Sequence, residues 1–390
     1  MLRDVVSERE KELPISTIGE LIRIAEEEKD IVSLGPGEPD FATPQHIIDF
    51  SKKKLDEGFT HYSAAAGRKE LRQAITEKLA KDNHVNVSED QVLVTVGSTE
   101  GLLLALMCTI DPGEGVMITD PGFLAYKPMT EVLNGLPISV PLCEEKIFQF
   151  DVELAKKMII PEKTNVFILN TPPNPTGVVF NKKNLEEIAQ FAVEYDLLIL
   201  SDEAYEKLVY GVKHISIGSL NGMEDRVVTL QTFSKSYAMP GFRLGYAAGP
   251  EKLIKAMTKL RTFTTVCAPT MSQLAGLEAL RGEQESVEKM RKDYDLRRKY
   301  ICKRVKNIRG FSCVEPNGAF YLFPNIKSFD KSSYDFAKFL LEKAKVAVVP
   351  GTEFGRCGEG YIRMSYATSM EKIKIALDRI EDATEKLGFG

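Results

Sequence analysis

The feature that most limits the fold is an alternation, from about residue 92 to residue 249, of short apolar runs with segments of helical periodicity. Val166-Phe-Ile-Leu, Leu197-Leu-Ile-Leu and Val227-Val-Thr-Leu are mostly or wholly apolar, as is typical of parallel strands buried on both faces. Strands that alternate with helices build a parallel sheet with crossover helices. The sequence therefore predicts an α/β fold with a mostly parallel central sheet flanked by helices.

The pattern changes in the last third of the chain. Residues 251 to 307 show helical periodicity, with a run of charges from Glu285 that fits a solvated helix face. Short apolar runs at Ala319-Phe-Tyr-Leu-Phe323 and Val346-Ala-Val-Val349 then alternate with helical segments, up to an amphipathic stretch at about 370 to 387. A chain of 390 residues, 43% of them apolar, can bury more than one core. We expect a second, smaller α+β domain.

The composition argues against several classes of function. The chain has 51 basic and 56 acidic residues, which are interleaved, and a net charge of −5, so nucleic acid is not an expected partner. No apolar run approaches the roughly 20 residues that cross a bilayer, and the charged N-terminal sequence does not resemble a signal peptide. We expect a cytoplasmic protein without a membrane partner. Six scattered cysteines and four histidines predict neither a metal site nor a disulfide framework.

A lysine with a phosphate-binding environment follows one of the predicted strands. Thr232-Phe-Ser-Lys235 comes directly after Val227-Val-Thr-Leu-Gln231, and Arg243 lies eight residues beyond the lysine. At the carboxyl edge of a parallel sheet, where α/β folds bind ligands, Lys235 would present an amine that attacks a carbonyl. Thr232 and Arg243 offer a hydroxyl and a forked cation suited to phosphate. A Ser-Lys pair in a loop is also typical of a solvated turn, so this segment alone does not decide.

Two other predicted strands end in polar groups of complementary chemistry. The apolar run that begins at Leu197 ends at Asp202, a carboxylate suited to a protonated ring nitrogen, and Tyr205 follows three residues later. The alternative role for Asp202 is that of a helix N-cap. The first run ends in a proline-rich turn that fixes the backbone around Asn174, although such a turn can be purely structural. Because the carboxyl ends of parallel strands share one edge, these groups and Lys235 together predict a functional site.

A glycine turn marks a further junction between a strand and a helix. Val92-Leu-Val-Thr-Val-Gly97 reads as a strand and turn, and the helix after it would point the free backbone N–H groups of Ser98 and Thr99 at an anion. A nucleotide is not the predicted ligand, because the segment lacks both a Walker lysine and the dinucleotide glycine spacing.

Together these motifs resemble those of the class I aminotransferases, enzymes of fold type I that depend on pyridoxal 5'-phosphate (PLP). The similarity is greatest to the archaeal and bacterial branch that holds aromatic and aspartate aminotransferases. It extends from Ser33-Leu-Gly-Pro-Gly37-Glu-Pro-Asp-Phe41 to Tyr361-Ile-Arg363-Met-Ser365. The resemblance implies a large PLP-binding domain, residues 48–281, and a discontinuous small domain made of residues 1–47 and 282–390.

The resemblance also implies roles for individual residues. Lys235 would bind the aldehyde of the cofactor and act as the catalytic base, and Asp202 would pair with the ring nitrogen. The other implied cofactor contacts are the ring hydroxyl for Tyr205 and Asn174, the phosphate for Thr232, Arg243, Ser98 and Thr99, stacking for Phe123, and the phosphate site of the neighbouring subunit of a homodimer for Tyr62. Arg363, Asn174 and the backbone of Gly37 would bind the substrate carboxylate, and Pro14-Ile-Ser-Thr-Ile18 would close over the pocket.

The implied reaction moves an amino group from an amino acid to 2-oxoglutarate by a ping-pong mechanism. In one branch specialised for dicarboxylates, a lysine stands where this chain has Thr99. The absence of that cation favours an aromatic or broad donor specificity, with Phe123, Phe320 and Tyr321 as an aromatic lining.

Other functions remain open from the sequence alone. Aspartate is the alternative donor, with Arg261 or Lys259 as a substitute cation for its side-chain carboxylate. PLP lyases and decarboxylases share the fold and the lysine, and some transcription regulators carry an aminotransferase-like ligand-binding domain. A Schiff-base aldolase without a cofactor would need neither Asp202 nor a phosphate cradle.

Overall fold

The computed structural model describes residues 5–11, 13, 28 and 30–387. Residues 14–18, which are predicted to close over the pocket, lie outside this part of the chain. Its strands are β1 (Val32–Ser33), β2 (Val92–Thr95), β3 (Gly115–Asp120), β4 (Leu136–Pro141), β5 (Thr164–Asn170), β6 (Leu198–Asp202), β7 (Val227–Thr232), β8 (Gly245–Ala248), β9 (Tyr321–Leu322), β10 (Val346–Ala347), β11 (Val349–Pro350) and β12 (Ile362–Ser365). Its α-helices are α1 (Glu8–Lys11), α2 (Gln45–Asp56), α3 (Lys69–Lys78), α4 (Gly97–Thr109), α5 (Tyr126–Val132), α6 (Val152–Met158), α7 (Lys182–Glu194), α8 (Phe233–Ser236), α9 (Glu251–Thr262), α10 (Thr270–Arg281), α11 (Glu285–Asn307), α12 (Ser333–Phe339) and α13 (Met370–Glu385).

The central sheet has seven strands in the order β2, β8, β7, β6, β5, β3 and β4. Its strands pair in parallel except β8, which runs antiparallel to both β2 and β7. The connection from β7 to β8, residues 233–244, contains the four-residue helix α8 instead of a crossover helix, and the chain returns in the opposite direction. The structure confirms the predicted α/β fold with a mostly parallel sheet, and adds one antiparallel strand that the sequence analysis did not foresee.

The register of the sheet aligns the strand ends that the sequence singled out. Asn170 at the end of β5 lies opposite Asp202 at the end of β6, and Asp202 lies opposite Leu230 of β7. Because β8 is antiparallel, its first residue Gly245 lies opposite both Thr232 of β7 and Thr95 of β2. The start of α4, two residues after Thr95, therefore shares one edge with the ends of β5, β6 and β7.

The last third of the chain builds a hydrophobic core of its own. Helices α11, α12 and α13 pack there around β9 and β12, with Leu34 and residues 204–210 joining from elsewhere in the sequence. Strand β1 pairs in parallel with β10, and the Ser365 N–H donates to the Leu34 carbonyl oxygen at 2.7 Å. This packing supports the predicted smaller α+β domain, whose boundaries stay a prediction. Within the described residues, no helix combines the length and the apolar character that spanning a membrane requires.

Candidate active site

Asp202 is the buried carboxylate at the centre of this edge of the sheet. It is 8% exposed, and its Oδ2 accepts a hydrogen bond from the Tyr126 hydroxyl at 2.8 Å. Its Oδ1 accepts the Ala204 N–H at 3.3 Å. Burial raises the pKa of Asp202, and the hydrogen bond from Tyr126 acts in the opposite direction by favouring the ionised form. The sequence analysis missed Tyr126, although it lies one helical turn after Phe123.

The turn after β5 is joined to both Asp202 and Arg363. The Asn170 side-chain amide donates to the Asp202 carbonyl oxygen at 2.8 Å, and its Oδ1 accepts the Asn174 N–H at 3.0 Å. The Asn174 Oδ1 in turn accepts a hydrogen bond from the Arg363 guanidinium at 3.0 Å. Two predicted site residues that are 189 positions apart in sequence are therefore in direct contact.

Arg363 is a buried cation whose hydrogen-bond partners are uncharged. It is 3% exposed, and it donates to Asn174 and, at 2.5 Å, to the Gly35 carbonyl oxygen. Its guanidinium carbon lies 4.5 Å from the centre of the Tyr321 ring and 4.9 Å from that of Phe354, and burial lowers its pKa. Among the described residues, the Arg363 Nε has no hydrogen-bond partner. A buried guanidinium with an unfilled donor is suited to a carboxylate ligand.

Lys235 lies in the short helix α8, directly after β7. Its amine donates to the Gly37 carbonyl oxygen and lies 5.8 Å from the ring centres of both Tyr205 and Phe320. Burial, followed by the positive charge of Arg363, lowers the pKa of Lys235 to about 8. At pH 7 about one-tenth of such an amine is neutral, against far less than 1% for an ordinary lysine. Lys235 is therefore a competent nucleophile for a carbonyl group.

Tyr205 and Gly37 lie next to this amine. The Tyr205 hydroxyl is 2.8 Å from the Tyr321 hydroxyl, and burial, followed by the neighbouring Tyr321, raises the pKa of Tyr205 well above its usual value. Gly37 packs so closely that a Cβ there would be 2.9 Å from the Tyr321 hydroxyl oxygen. The Tyr205 and Phe320 rings and the Gly37 carbonyl oxygen thus lie around the Lys235 amine, with Tyr321 behind Tyr205.

A second part of the edge is arranged to bind an anion. Thr232 caps α8, because its Oγ1 accepts the Ser234 N–H at 3.2 Å. Gly97, with φ +74°, opens α4 so close to Arg243 that a Cβ would lie 2.8 Å from the Arg243 Nη2. Ser98 is half-buried and Thr99 is exposed at the same helix end. The structure therefore brings the α4 N-terminus and the Arg243 guanidinium together, a combination that favours phosphate.

Phe123 and Tyr62 occupy different environments. Phe123 is half-buried and meets Tyr126 edge to face, with ring centres 5.4 Å apart, so it lies beside the phenol that binds Asp202. Tyr62 is 86% exposed, as expected for a side chain that would act on a neighbouring subunit. The single chain therefore gathers the predicted residues of its own site and leaves Tyr62 at the surface.

The structure changes the interpretation of three residues discussed for specificity. Arg261 is fully buried, donates to the carbonyl oxygens of Val94 and Ala65, and lies 3.4 Å from Glu100. Its Nε and Nη2 have no hydrogen-bond partner among the described residues, so it is the full burial of Arg261 beside these internal groups, and not a lack of donors, that argues against its binding a distal substrate carboxylate. Phe320 and Tyr321 are also fully buried, so their contribution near Lys235 is to the wall behind its amine and not to an open surface.

Comparison with known proteins identifies the family. The family model for class I and II aminotransferases matches residues 29–380. The chain belongs to this family. It is 48% identical over 370 residues to an aspartate aminotransferase of Pyrococcus abyssi (94% of this chain, 95% of that protein) and 45% identical over 380 residues to aromatic-amino-acid aminotransferase 2 of Thermococcus litoralis (96% and 97%). The solved aspartate aminotransferase from Thermus thermophilus with maleate superposes with a TM-score of 0.94 at 35% identity, covering 98% of this chain and 100% of that one.

This aminotransferase is a PLP-dependent enzyme of fold type I, as the resemblance of its motifs predicts. The site fits the cofactor. Asp202 offers a buried carboxylate to a ring nitrogen, Lys235 an amine of lowered pKa to an aldehyde, and Arg243 with the α4 N-terminus a cradle for phosphate. The assignment of each residue to an atom of the cofactor stays a prediction.

Proposed function

We propose that this aminotransferase moves the amino group of an aromatic amino acid, or of a broad range of amino acids, to 2-oxoglutarate by a ping-pong mechanism. The observation that carries the proposal is the environment of Arg363. Its buried guanidinium is bound by the neutral oxygens of Asn174 and Gly35, and its Nε is free among the described residues. A buried cation without an anionic partner is costly, and the α-carboxylate common to all amino and 2-oxo acids would supply that partner.

When bound, PLP supplies an aldehyde that captures the substrate amine and a ring that withdraws electrons from the substrate. Lys235 would then act as the general base. Its Nζ would accept the proton of the substrate α-carbon, hold it and later donate it again. Its lowered pKa of about 8 suits this task, because the amine exchanges a proton readily near neutral pH. Asp202, whose ionised form the Tyr126 hydroxyl favours against the effect of burial, would hold the ring nitrogen in its protonated form.

The remaining residues would bind and orient. Arg243, Thr232 and the backbone N–H groups of Ser98 and Thr99 would hold the phosphate, with Phe123 against the ring and with Tyr205 and Asn174 at the ring hydroxyl. Asn174 would also serve the substrate side, because its Oδ1 orients the Arg363 guanidinium. Gly37 would border the substrate carboxylate, since its carbonyl oxygen already lies against the Lys235 amine.

The active species would be a homodimer in which Tyr62 reaches the phosphate site of the neighbouring subunit. The 86% exposure of Tyr62 supports this proposal, because a large aromatic side chain gains little from such contact with water. The cytoplasmic location inferred from the sequence stays a prediction.

The donor preference rests on the two positions, Thr99 and Arg261, considered for a cation that would bind a second carboxylate. Thr99 is uncharged, and Arg261 is committed to Val94, Ala65 and Glu100. Burying an uncompensated carboxylate costs a few kcal/mol, whereas an aromatic side chain gains about 25 cal/mol per Å² of buried apolar surface. We therefore expect phenylalanine or tyrosine to be better donors than aspartate, and 2-oxoglutarate, which also carries a second carboxylate, to bear the same cost as the acceptor.

Aspartate aminotransferase is the second candidate, because the Pyrococcus abyssi relative that is 48% identical carries that name. The test is kcat/KM for phenylalanine, tyrosine and aspartate against 2-oxoglutarate. Aspartate ahead of both aromatic donors by tenfold, about 1.4 kcal/mol of transition-state preference, would replace the aromatic assignment with the aspartate one. No exchange of amino groups with any of the three would refute the transamination proposal itself.

A further inference from the structure

A buried carboxylate outside the predicted site, that of Asp120, connects the end of β3 to a turn near Arg363. Asp120, the last residue of β3, is 7% exposed. Its two oxygens accept the backbone N–H groups of Arg356 at 3.1 Å and Cys357 at 2.9 Å. These residues begin the short 3-10 turn Arg356–Gly358, where N–H groups have no partner inside the turn. A side chain that is 236 positions away in sequence therefore caps this turn.

The chain is shaped to receive this carboxylate. Gly355, just before the turn, has φ +126°, and a Cβ there would lie 2.1 Å from the Asp120 Oδ1. The preceding carbonyl oxygen, of Phe354, accepts the Gly122 N–H at 2.8 Å. Residues 354–357 are therefore bound to residues 120–122 by three hydrogen bonds, and only glycine leaves room for the approach.

One of the two rings that lie against Arg363 belongs to Phe354, just before this turn. Phe354 is 3% exposed, and its ring centre lies 4.9 Å from the guanidinium carbon of Arg363. The Phe354 carbonyl oxygen is held by the Gly122 N–H, and Asp120 holds Arg356 and Cys357 just after it, so a shift of residues 354–357 would move this ring. The Arg363 guanidinium, whose Nε is buried and without a partner among the described residues, would then lose its contact with the Phe354 ring and with it part of its fixed orientation.

We propose that Asp120 is a positioning residue, which caps the Arg356–Gly358 turn, holds Phe354 against Arg363 and thereby sets the affinity for the substrate carboxylate. The inference rests on the proposed role of Arg363 in binding that carboxylate. Asp120 itself touches neither the Lys235 amine nor the Arg363 guanidinium in any described contact, so its effect passes through the turn.

The test uses the PLP-loaded enzyme and 3-phenylpropionate, a carboxylate without an amine that cannot react. Asp120→Ala removes both acceptors, and we expect its Kd for 3-phenylpropionate to rise about tenfold, with PLP affinity changed less than twofold. Asp120→Asn keeps the volume and one acceptor oxygen, so its Kd should fall between those of the parent and Asp120→Ala. Asp151→Ala is the matched control, because Asp151 caps helix α6 by accepting the Leu154 N–H at 3.2 Å; its Kd should not change.

A double-mutant cycle with Arg363→Lys separates the inference from the proposed function. If Asp120 acts through Arg363, Asp120→Ala should change the Kd less than twofold once Arg363→Lys is present. An unchanged Kd in Arg363→Lys alone would refute the proposed role of Arg363. Two results would overturn the positioning role and leave the proposed function standing, both with a raised Kd in Arg363→Lys. In the first, both Asp120 variants keep the parental Kd; in the second, the effects of Asp120→Ala and Arg363→Lys on the Kd multiply in full.

Discussion

Removing the Tyr126 hydroxyl is the sharpest test of how this site prepares Asp202. Tyr126 is 1% exposed, and its hydroxyl is 2.8 Å from the Asp202 Oδ2, so Tyr126→Phe deletes one donor without opening the site. A hydrogen bond to a charged group contributes about 1.5–3 kcal/mol. If all of this free energy supports the ionised carboxylate in the transition state, kcat/KM should fall by a factor between about 10 and about 150.

The direction of the pH effect follows from the same contact. The Tyr126 hydrogen bond lowers the pKa of Asp202 against the larger, opposing effect of burial. Without the Tyr126 hydroxyl the pKa of Asp202 rises further. When the pH is lowered, the Asp202 carboxylate is then protonated at a higher pH than in the parent. The acidic limb of the kcat/KM profile should therefore move to higher pH in Tyr126→Phe, and PLP should bind more weakly at pH 6 than at pH 8.

Tyr210→Phe provides the control. The Tyr210 hydroxyl donates to the Ala319 carbonyl oxygen at 2.6 Å and is equally buried, but it lies in the core of the last third of the chain. It should cost about 0.5–1.5 kcal/mol of stability in urea denaturation and leave the pH profile unchanged. The reasoning fails if Tyr126→Phe keeps kcat/KM within twofold of the parent, or if both variants shift the acidic limb alike.

Three further outcomes follow from the geometry. Lys235→Ala should abolish turnover and the yellow colour of the bound cofactor. In the cofactor-free parent, the rate at which PLP recombines should rise with pH through about 8, because the neutral Lys235 amine reacts; a rate independent of pH would contradict this. Arg261→Met should lower stability in urea by about 3–5 kcal/mol, because it leaves Glu100 with an uncompensated buried charge, yet leave the KM for 2-oxoglutarate unchanged; a KM raised tenfold would make Arg261 a substrate residue. Mixing Tyr62→Phe with Lys235→Ala subunits should produce hybrid dimers with one intact site, and activity that does not change on mixing would argue against sites shared between subunits.

The sequence predicted the sheet edge well because its information there is local. Apolar runs fix where β5, β6 and β7 lie, and the residue after each run must lie at the carboxyl edge of a parallel sheet. Asn174, Asp202 and Lys235 were therefore found from three short segments. The contact between Asn174 and Arg363 joins segments 189 positions apart, and the sequence analysis assigned Arg363 to the site from family resemblance alone.

The contacts that the sequence analysis missed are all between distant segments. Tyr126 reaches Asp202 across 76 positions, and Asp120 reaches Cys357 across 237. No periodicity encodes such pairs, because periodicity describes one element at a time. Arg261 shows the opposite failure. A cation near the predicted site looked available for a second carboxylate, but burial and its Glu100 partner, which no local pattern reveals, commit it to the interior.

Strand periodicity also explains why two adjacent acids have different tasks. Successive side chains of a strand point to opposite faces, so Asp202 turns towards Tyr126, whereas Glu203 shares a face with Ser201 and accepts its hydroxyl at 2.9 Å. The same Glu203 oxygen accepts the Ser216 hydroxyl at 2.7 Å. Glu203 is thus a structural anchor behind the site, and its negative charge adds to the effect of burial in raising the Asp202 pKa.

The carboxylates around Glu203 are occupied by hydrogen-bond donors, so they form a hydrogen-bond network and not an open set of metal ligands. Glu203, Glu206 and His214 bring ligand-type atoms within 4.8 Å of one another. Each carboxylate oxygen already accepts a hydrogen bond: the second oxygen of Glu203 lies 2.9 Å from the His214 Nε2, and Glu206 binds Asn83 and the Lys78 amine. The ammonium of Lys78 supplies the positive charge that a cation would bring, and its charge is the main counterweight to burial in lowering the Glu206 pKa to about 2. Because these contacts hold Glu203, the residue that directly follows β6, they restrict the backbone beside Asp202.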